Sequence, residues 1–157
     1  MNIERLSEKT KGLLQASQTL ANRYSNPSLE PEHLLKVMLD EESYVVENLI
    51  LAAGGNSQKL RQDIETAIAK FPTVEGPGAG QLVLSGSLSR IVDNALNLAE
   101  KAGDKYVTAE RILQAMLLGK DYPVSGFLKA AGLTDKSLNE AINQVRKGRT
   151  ADTPTSE

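Results

Sequence analysis

Side chains able to do chemistry are few in this chain of 157 residues. Its one histidine, His33, stands beside Glu32 in the stretch "LEPEHLLKVML" (Leu29 to Leu39). A histidine with an acid and a serine could run a hydrolysis, but the serine should then sit on a tight strand-to-helix turn, as in G-x-S-x-G. No such turn occurs, and "SGS" (Ser85 to Ser87) reads as a loop-to-helix boundary. One histidine cannot build a multi-histidine metal site, and with no cysteine there is no thiolate ligand and no disulfide. His33 is therefore expected at a helix start, bonded to a neighbouring backbone group or carboxylate.

Other candidates fare no better as catalysts. The glycine-rich "EGPGAGQLVLSG" lacks the Lys and hydroxyl that a phosphate-binding loop places after its last glycine, so it reads as a linker. Asp40, Glu41 and Glu42 read as a solvated turn, since nothing nearby would drive two carboxyls apart in acidity. "VRKGR" (Val145 to Arg149) places cations at a helix C-terminus, where they suit the dipole. Glu32 and Glu110 are the informative pair. They lie 78 positions apart, each in the first turn of a helix, and they fit either dipole complementarity or a binding surface.

The elements around these residues follow from periodicity. Apolar residues make up 40% of the chain and aromatics only 4%, with no Trp, which favours packed helices over a β-sandwich. Four helices are expected in the first half: Ser7 to about Tyr24, Pro31 onward, "YVVENLILAAGG" closing at Gly54-Gly55, and "QKLRQDIETAIAKF" capped by Asn56 or Ser57. Four more are expected at about 85–102, 108–118, 124–131 and 135–147. A net charge of −2 offers no field for nucleic acid. "MNIERLSEKTK" has charges where a signal peptide is apolar, and no apolar run reaches the ~18 residues of a membrane span. A soluble, cytoplasmic chain with no nucleic-acid or membrane partner is expected.

The two halves are copies. Adding 78 to positions 6–69 pairs 64 residues without a gap, and fifteen pairs are identical, against about four by chance. They include Leu6/Leu84, Ser7/Ser85, Glu32/Glu110, Leu35/Leu113, Met38/Met116, Leu39/Leu117 and Gly54/Gly132. Most are apolar or small, as a shared core requires, and Ser7/Ser85 suits helix capping. A unit of this size is marginal alone, while each Leu buried between two units contributes roughly 1.5–3 kcal/mol. The expected fold is all-α: eight helices in two tandem four-helix repeats packed with pseudo-twofold symmetry. Repeat one spans about 1–71, a linker 72–83 and repeat two about 84–148, followed by a flexible tail at 149–157.

Five stretches, "RLSEK", "EPEHLL", "KFPTVEGPG", "GDKYVTAERIL" and "FLKAAGLTDKSLNEAINQVRKGR", resemble the N-terminal domain of Clp-family AAA+ ATPases, in the form carried by ClpB-type disaggregases. The resemblance covers essentially the whole chain up to Gly148. It implies a non-enzymatic module, without cofactor of its own, that recognises unfolded or aggregated polypeptide. It also implies a parent chaperone of the stress response: a homohexameric ATPase using ATP and Mg²⁺, working with a DnaK-type chaperone system and threading substrate through its ring.

By the same resemblance, Ser7, Asp104 and Glu110 match the family's functional polar positions. Leu13, Leu14, Ile91 and Val92 would line a groove between the paired long helices. Arg111 departs from the pattern, since relatives often carry an apolar residue there. In ClpC-type relatives the acids matching Glu32 and Glu110 receive a phosphoarginine-marked substrate or contact adaptors, so adaptor or degron docking in the manner of a ClpA- or ClpC-type unfoldase is the alternative role.

Overall fold

The computed structural model describes residues 2–76 and 81–157, so positions 77–80 of the expected linker lie outside the described residues. Helices α1 (Glu8–Arg23), α2 (Pro31–Asp40), α3 (Val45–Ala52) and α4 (Ser57–Ala69) form repeat one. Repeat two holds α5 (Gly86–Lys101), α6 (Ala109–Leu118), α7 (Pro123–Ala130) and α8 (Asp135–Arg146). Local chemistry sets these limits. Ser7 and Ser85 each accept the amide three residues on, from Thr10 and Leu88, and so cap α1 and α5. Asn56 and Thr134 do the same for α4 and α8. Pro31 and Pro123 open α2 and α7, where a missing N–H costs nothing. Gly54 (φ 82°) and Gly132 (φ 100°) end α3 and α7 in the left-handed region that glycine enters freely.

The repeats interlock rather than merely touch. Leu6 pairs in parallel with Val107, and strand β1 (Ser28–Leu29) runs parallel to β2 (Val83–Leu84), with Leu29 opposite Leu84. The 78-residue shift carries Leu6 to Leu84 and Leu29 to Val107. The lead-in of each repeat therefore pairs with the loop before the second helix of the other. Matching bonds prove the symmetry: the Ser7 amide donates to the Val107 carbonyl at 3.0 Å, and the Ser85 amide to the Leu29 carbonyl at 3.1 Å. Pairings two residues long leave no period-2 pattern, which is why periodicity alone gives only helices.

Helices cross the boundary in matched pairs as well, α4 against α7 and α3 against α8, while α2 also packs on α5, α6 and α7. Leu35, Leu39, Leu113 and Leu117 are at most 1% exposed and form one continuous core. The pseudo-axis passes between Gly55 and its counterpart Leu133. A side chain at Gly55 would lie 2.8 Å from Ile50 Cγ2 and 3.1 Å from Leu133 Cδ2, so one member of that pair must be small.

Residues 149–157, expected to be flexible, lie in this structure against the start of α1 and the loop before α6. Ala151 is 2% exposed, and its carbonyl accepts from the Lys105 and Tyr106 amides at 2.9 and 3.1 Å. Nearer the chain end, the Pro154 carbonyl accepts from the Glu8 amide at 2.8 Å.

Candidate functional site

Three of the expected residues converge where α1 begins, α6 begins and α8 ends. Ser7 is fully buried, and its hydroxyl reaches Thr10 Oγ1 at 2.9 Å. Asp104 follows Gly103, whose φ of 83° turns the chain back from α5. Its carboxylate accepts from Arg111 Nε (3.0 Å), Arg146 Nη1 (2.6 Å) and the Ala151 amide (2.9 Å). Arg146 continues the chain of contacts, donating to Glu110 Oε2 at 2.7 Å and Thr108 Oγ1 at 2.9 Å. Two acids and two guanidinium groups thus balance in a nearly dry cluster. Burial pushes the Asp104 carboxyl up, but the Ala151 amide, then Arg146 and Arg111, hold it below its ordinary value.

The symmetry-related cluster in repeat one keeps an acid, Glu32, but replaces the other three charged groups by uncharged side chains. Asn26 stands for Asp104, His33 for Arg111 and Ile68 for Arg146. His33 Nδ1 accepts from the Glu30 amide at 2.9 Å, so Nε2 carries the proton and donates to Asn26 Oδ1 at 2.8 Å. Phe71 packs edge-on against the ring. Glu32, 5% exposed and without an arginine in the place of Arg146, has its carboxyl raised by burial against the pull of its own amide, with Glu30 adding to the rise. Glu110 is 6% exposed. Neither acid stands out into solvent as a docking point.

His33 carries a pH prediction. Burial lowers its pKa below the ordinary value, with Glu30 opposing. A folded value lower than the unfolded one means its contribution is complete above the ordinary histidine range and is lost as pH falls through about 6.5 toward the native value. Protonating Nδ1 would also turn a donor against the Glu30 amide. Urea midpoints should therefore fall from about pH 7 to about pH 5.5, and fall less in His33→Gln. Raised Glu32 acts with the opposite sign, so the difference between the two proteins isolates His33. Parallel curves would contradict this assignment.

The apolar residues divide. Leu13 and Leu14 point to opposite flanks of α1. Leu14 borders a cleft of about 460 Å³ with Ile3, Lys11, Leu29 and Leu84. Leu13 borders another with Lys9, Ala16, Val37 and the acids Asp40 to Glu42. Gly12 lines both. Ile91 and Val92 are 0% and 2% exposed and belong to the core rather than facing a groove.

Around the Leu14 cleft, Ile3 (55%), Val83 (65%) and Leu84 (38%) are exposed. Sequence reasoning missed these three because a single exposed apolar residue has no period. Leu84 is identical to Leu6, which is 1% exposed, so the duplication masked their different surroundings. Arg146 was legible only as a cation suited to a helix end. Among the described residues no group of three or more His, Asp or Glu could hold a metal ion, and no helix is long and apolar enough to cross a membrane.

Comparison with known proteins places this arrangement. The model of the Clp repeat (R) N-terminal domain matches residues 5–131. Over all 157 residues the chain is 43% identical to the chaperone protein ClpB of Mesorhizobium japonicum and 45% identical to that of Rhodopseudomonas palustris, and it spans 18% of the length of each. The N-terminal domain of Hsp104 from Candida albicans superposes with a TM-score of 0.80 at 18% identity, covering 95% of this chain and 96% of that one. A ClpV N-domain in complex with a VipB peptide superposes with a TM-score of 0.74 at 21% identity, covering 96% and 92%.

Proposed function

The chain belongs to the Clp repeat N-terminal domain family, and from that premise we propose that it captures unfolded or aggregated polypeptide for a larger ClpB-type disaggregase. The observation that carries this reading is the Leu14 cleft. Exposed Ile3 and Leu84 flank it, and buried Leu14 and Leu29 floor it. Such a surface suits an extended apolar segment of variable sequence, because burial of apolar area needs no fixed register. Glu8, Lys11, Gln15 and Gln18 give the cleft its polar side, while Glu110 and Arg146 border a second pocket, and Ser7 and Asp104 are proposed with them as a polar extension of the binding surface. Leu13 extends the apolar face across α1. The ClpV N-domain of similar fold is described in complex with a peptide, and the same kind of ligand is proposed here.

Weak capture at one cleft becomes effective when copies are linked. The relatives are about five and a half times as long as this chain, which leaves room for the ATPase. The parent is accordingly proposed as a cytoplasmic homohexamer that uses ATP and Mg²⁺ and cooperates with a DnaK-type system. Adaptor docking through Glu32 and Glu110 is disfavoured by their burial.

The test is binding of a fluorescent, permanently unfolded polypeptide to wild type and to Leu84→Arg. A charge in the cleft should weaken binding by tenfold or more, about 1.4 kcal/mol. Thermal stability should hardly change, since Leu84 is 38% exposed. Equal binding by both proteins would contradict the cleft reading, and saturable binding of phosphoarginine that Glu32→Ala/Glu110→Ala abolishes would favour the adaptor or degron role.

A further inference from the structure

We infer that residues 150–157 form a displaceable strap that seats the Glu157 carboxylate between the starts of α1 and α6 and competes there with acidic, extended segments of substrate. The seat is built from two donors. Glu157 Oε2 accepts from the Ala109 amide at 3.0 Å, and Oε1 accepts from the Ser7 hydroxyl. Ala109 is the first residue of α6, so its amide has no partner inside the helix. Two further anchors hold the strap: the Ala151 amide on Asp104 and the Pro154 carbonyl on the Glu8 amide.

The duplication supplies an internal control. Shifting by 78 residues exchanges Ala109 for Pro31, which has no amide hydrogen, while Ser7 becomes Ser85, whose hydroxyl is engaged by Leu88 and Ser87. Only one of the two equivalent places can therefore hold a carboxylate this way. The seat adjoins the apolar cleft, because Glu8, whose amide holds the strap, also lines that cleft. The strap is lightly held, since Asp152, Thr153, Thr155 and Ser156 are exposed, and this makes it removable. In the same sense, burial, and then the neighbouring Glu110, push the Glu157 carboxyl up against the pull of Ser7 and Ala109.

The inference rests on the polypeptide-binding reading above, and two readouts keep them apart. Amide hydrogen exchange at Ala109 reports docking. Affinity for a labelled, unfolded acidic peptide reports competition. In Glu157→Ala the Ala109 amide should lose protection. If the strap is docked about 90% of the time, peptide affinity should rise up to about tenfold. Unchanged Ala109 protection overturns the strap. Lost protection with unchanged affinity overturns the competition. No peptide binding by either protein sinks the polypeptide-binding reading and the competition with it, while the Ala109 amide still reports docking separately.

Discussion

Replacing Arg146 with Met should lower the unfolding free energy by about 3–5 kcal/mol, the usual cost of orphaning buried charge. The Arg146 side chain is 10% exposed, and its partners Asp104 and Glu110 are 0% and 8% exposed. Removing the guanidinium leaves Glu110 without its ion pair and Asp104 with only Arg111 and the Ala151 amide. It also frees the end of α8 from the start of α6, through the lost bond to Thr108. The lowered Asp104 pKa gives the same cluster an acid limit. Its contribution is present above the unfolded carboxyl value and is lost as pH falls through the native one.

Two controls separate this from a general loss of charge. Adding Asp104→Asn to Arg146→Met should cost about 1 kcal/mol or more less than the sum of the single changes, because the orphaned acid goes with it. Lys36→Met should cost at most about 1 kcal/mol, since its partners Asp40 and Glu65 are half in water, at 44% and 50% exposure. Denaturant titration reads all of these. A loss below about 1 kcal/mol for Arg146→Met would show that the cluster does not hold repeat two together.

The second large effect tests whether the repeats share one core. Leu113→Ala and its counterpart Leu35→Ala should each cost about 2–5 kcal/mol, because both side chains are 0% exposed and neither hole can fill with water. More telling is the form of the transition. A repeat of this size is marginal alone, and the exchanged pairings at Leu6–Val107 and Leu29–Leu84 tie each repeat to the other. Either substitution should move one cooperative transition as a whole, with matching calorimetric and van't Hoff enthalpies. Two separable transitions, one keeping the wild-type midpoint, would mean that the repeats fold independently.

The helices and their doubling were legible because they rest on local signals. Serine caps at Ser7 and Ser85, a proline at the first position of α2 and glycines after α3 and α7 each act within a few residues. The pseudo-twofold was legible because identical apolar residues 78 apart need a common interior. The reciprocal pairings were not legible, since two-residue strands have no pattern and their partners lie far away in sequence. The site was read in part. Asp104 and Glu110 do come together, but what joins them is Arg146, whose role depends on where α8 ends, while Ser7 is tied in separately through its amide on Val107. Leu14 reaches a cleft while Ile91 and Val92, equally apolar and in equivalent repeat positions to Leu13 and Leu14, are covered. Sequence type cannot tell a groove floor from a core when both require leucine-like residues.

One measurement bears most directly on the claim that the α1 flank captures polypeptide. Amide shifts of the isotopically labelled domain should be followed as a permanently unfolded polypeptide is added to about millimolar concentration, where even weak capture saturates. Progressive shifts are expected at Ile3, Ser7, Gly12, Leu14 and Leu84, with Ala109 and Ala151 moving as the strap yields. Shifts confined to α3, α4 or α7, or none at that concentration, would contradict it.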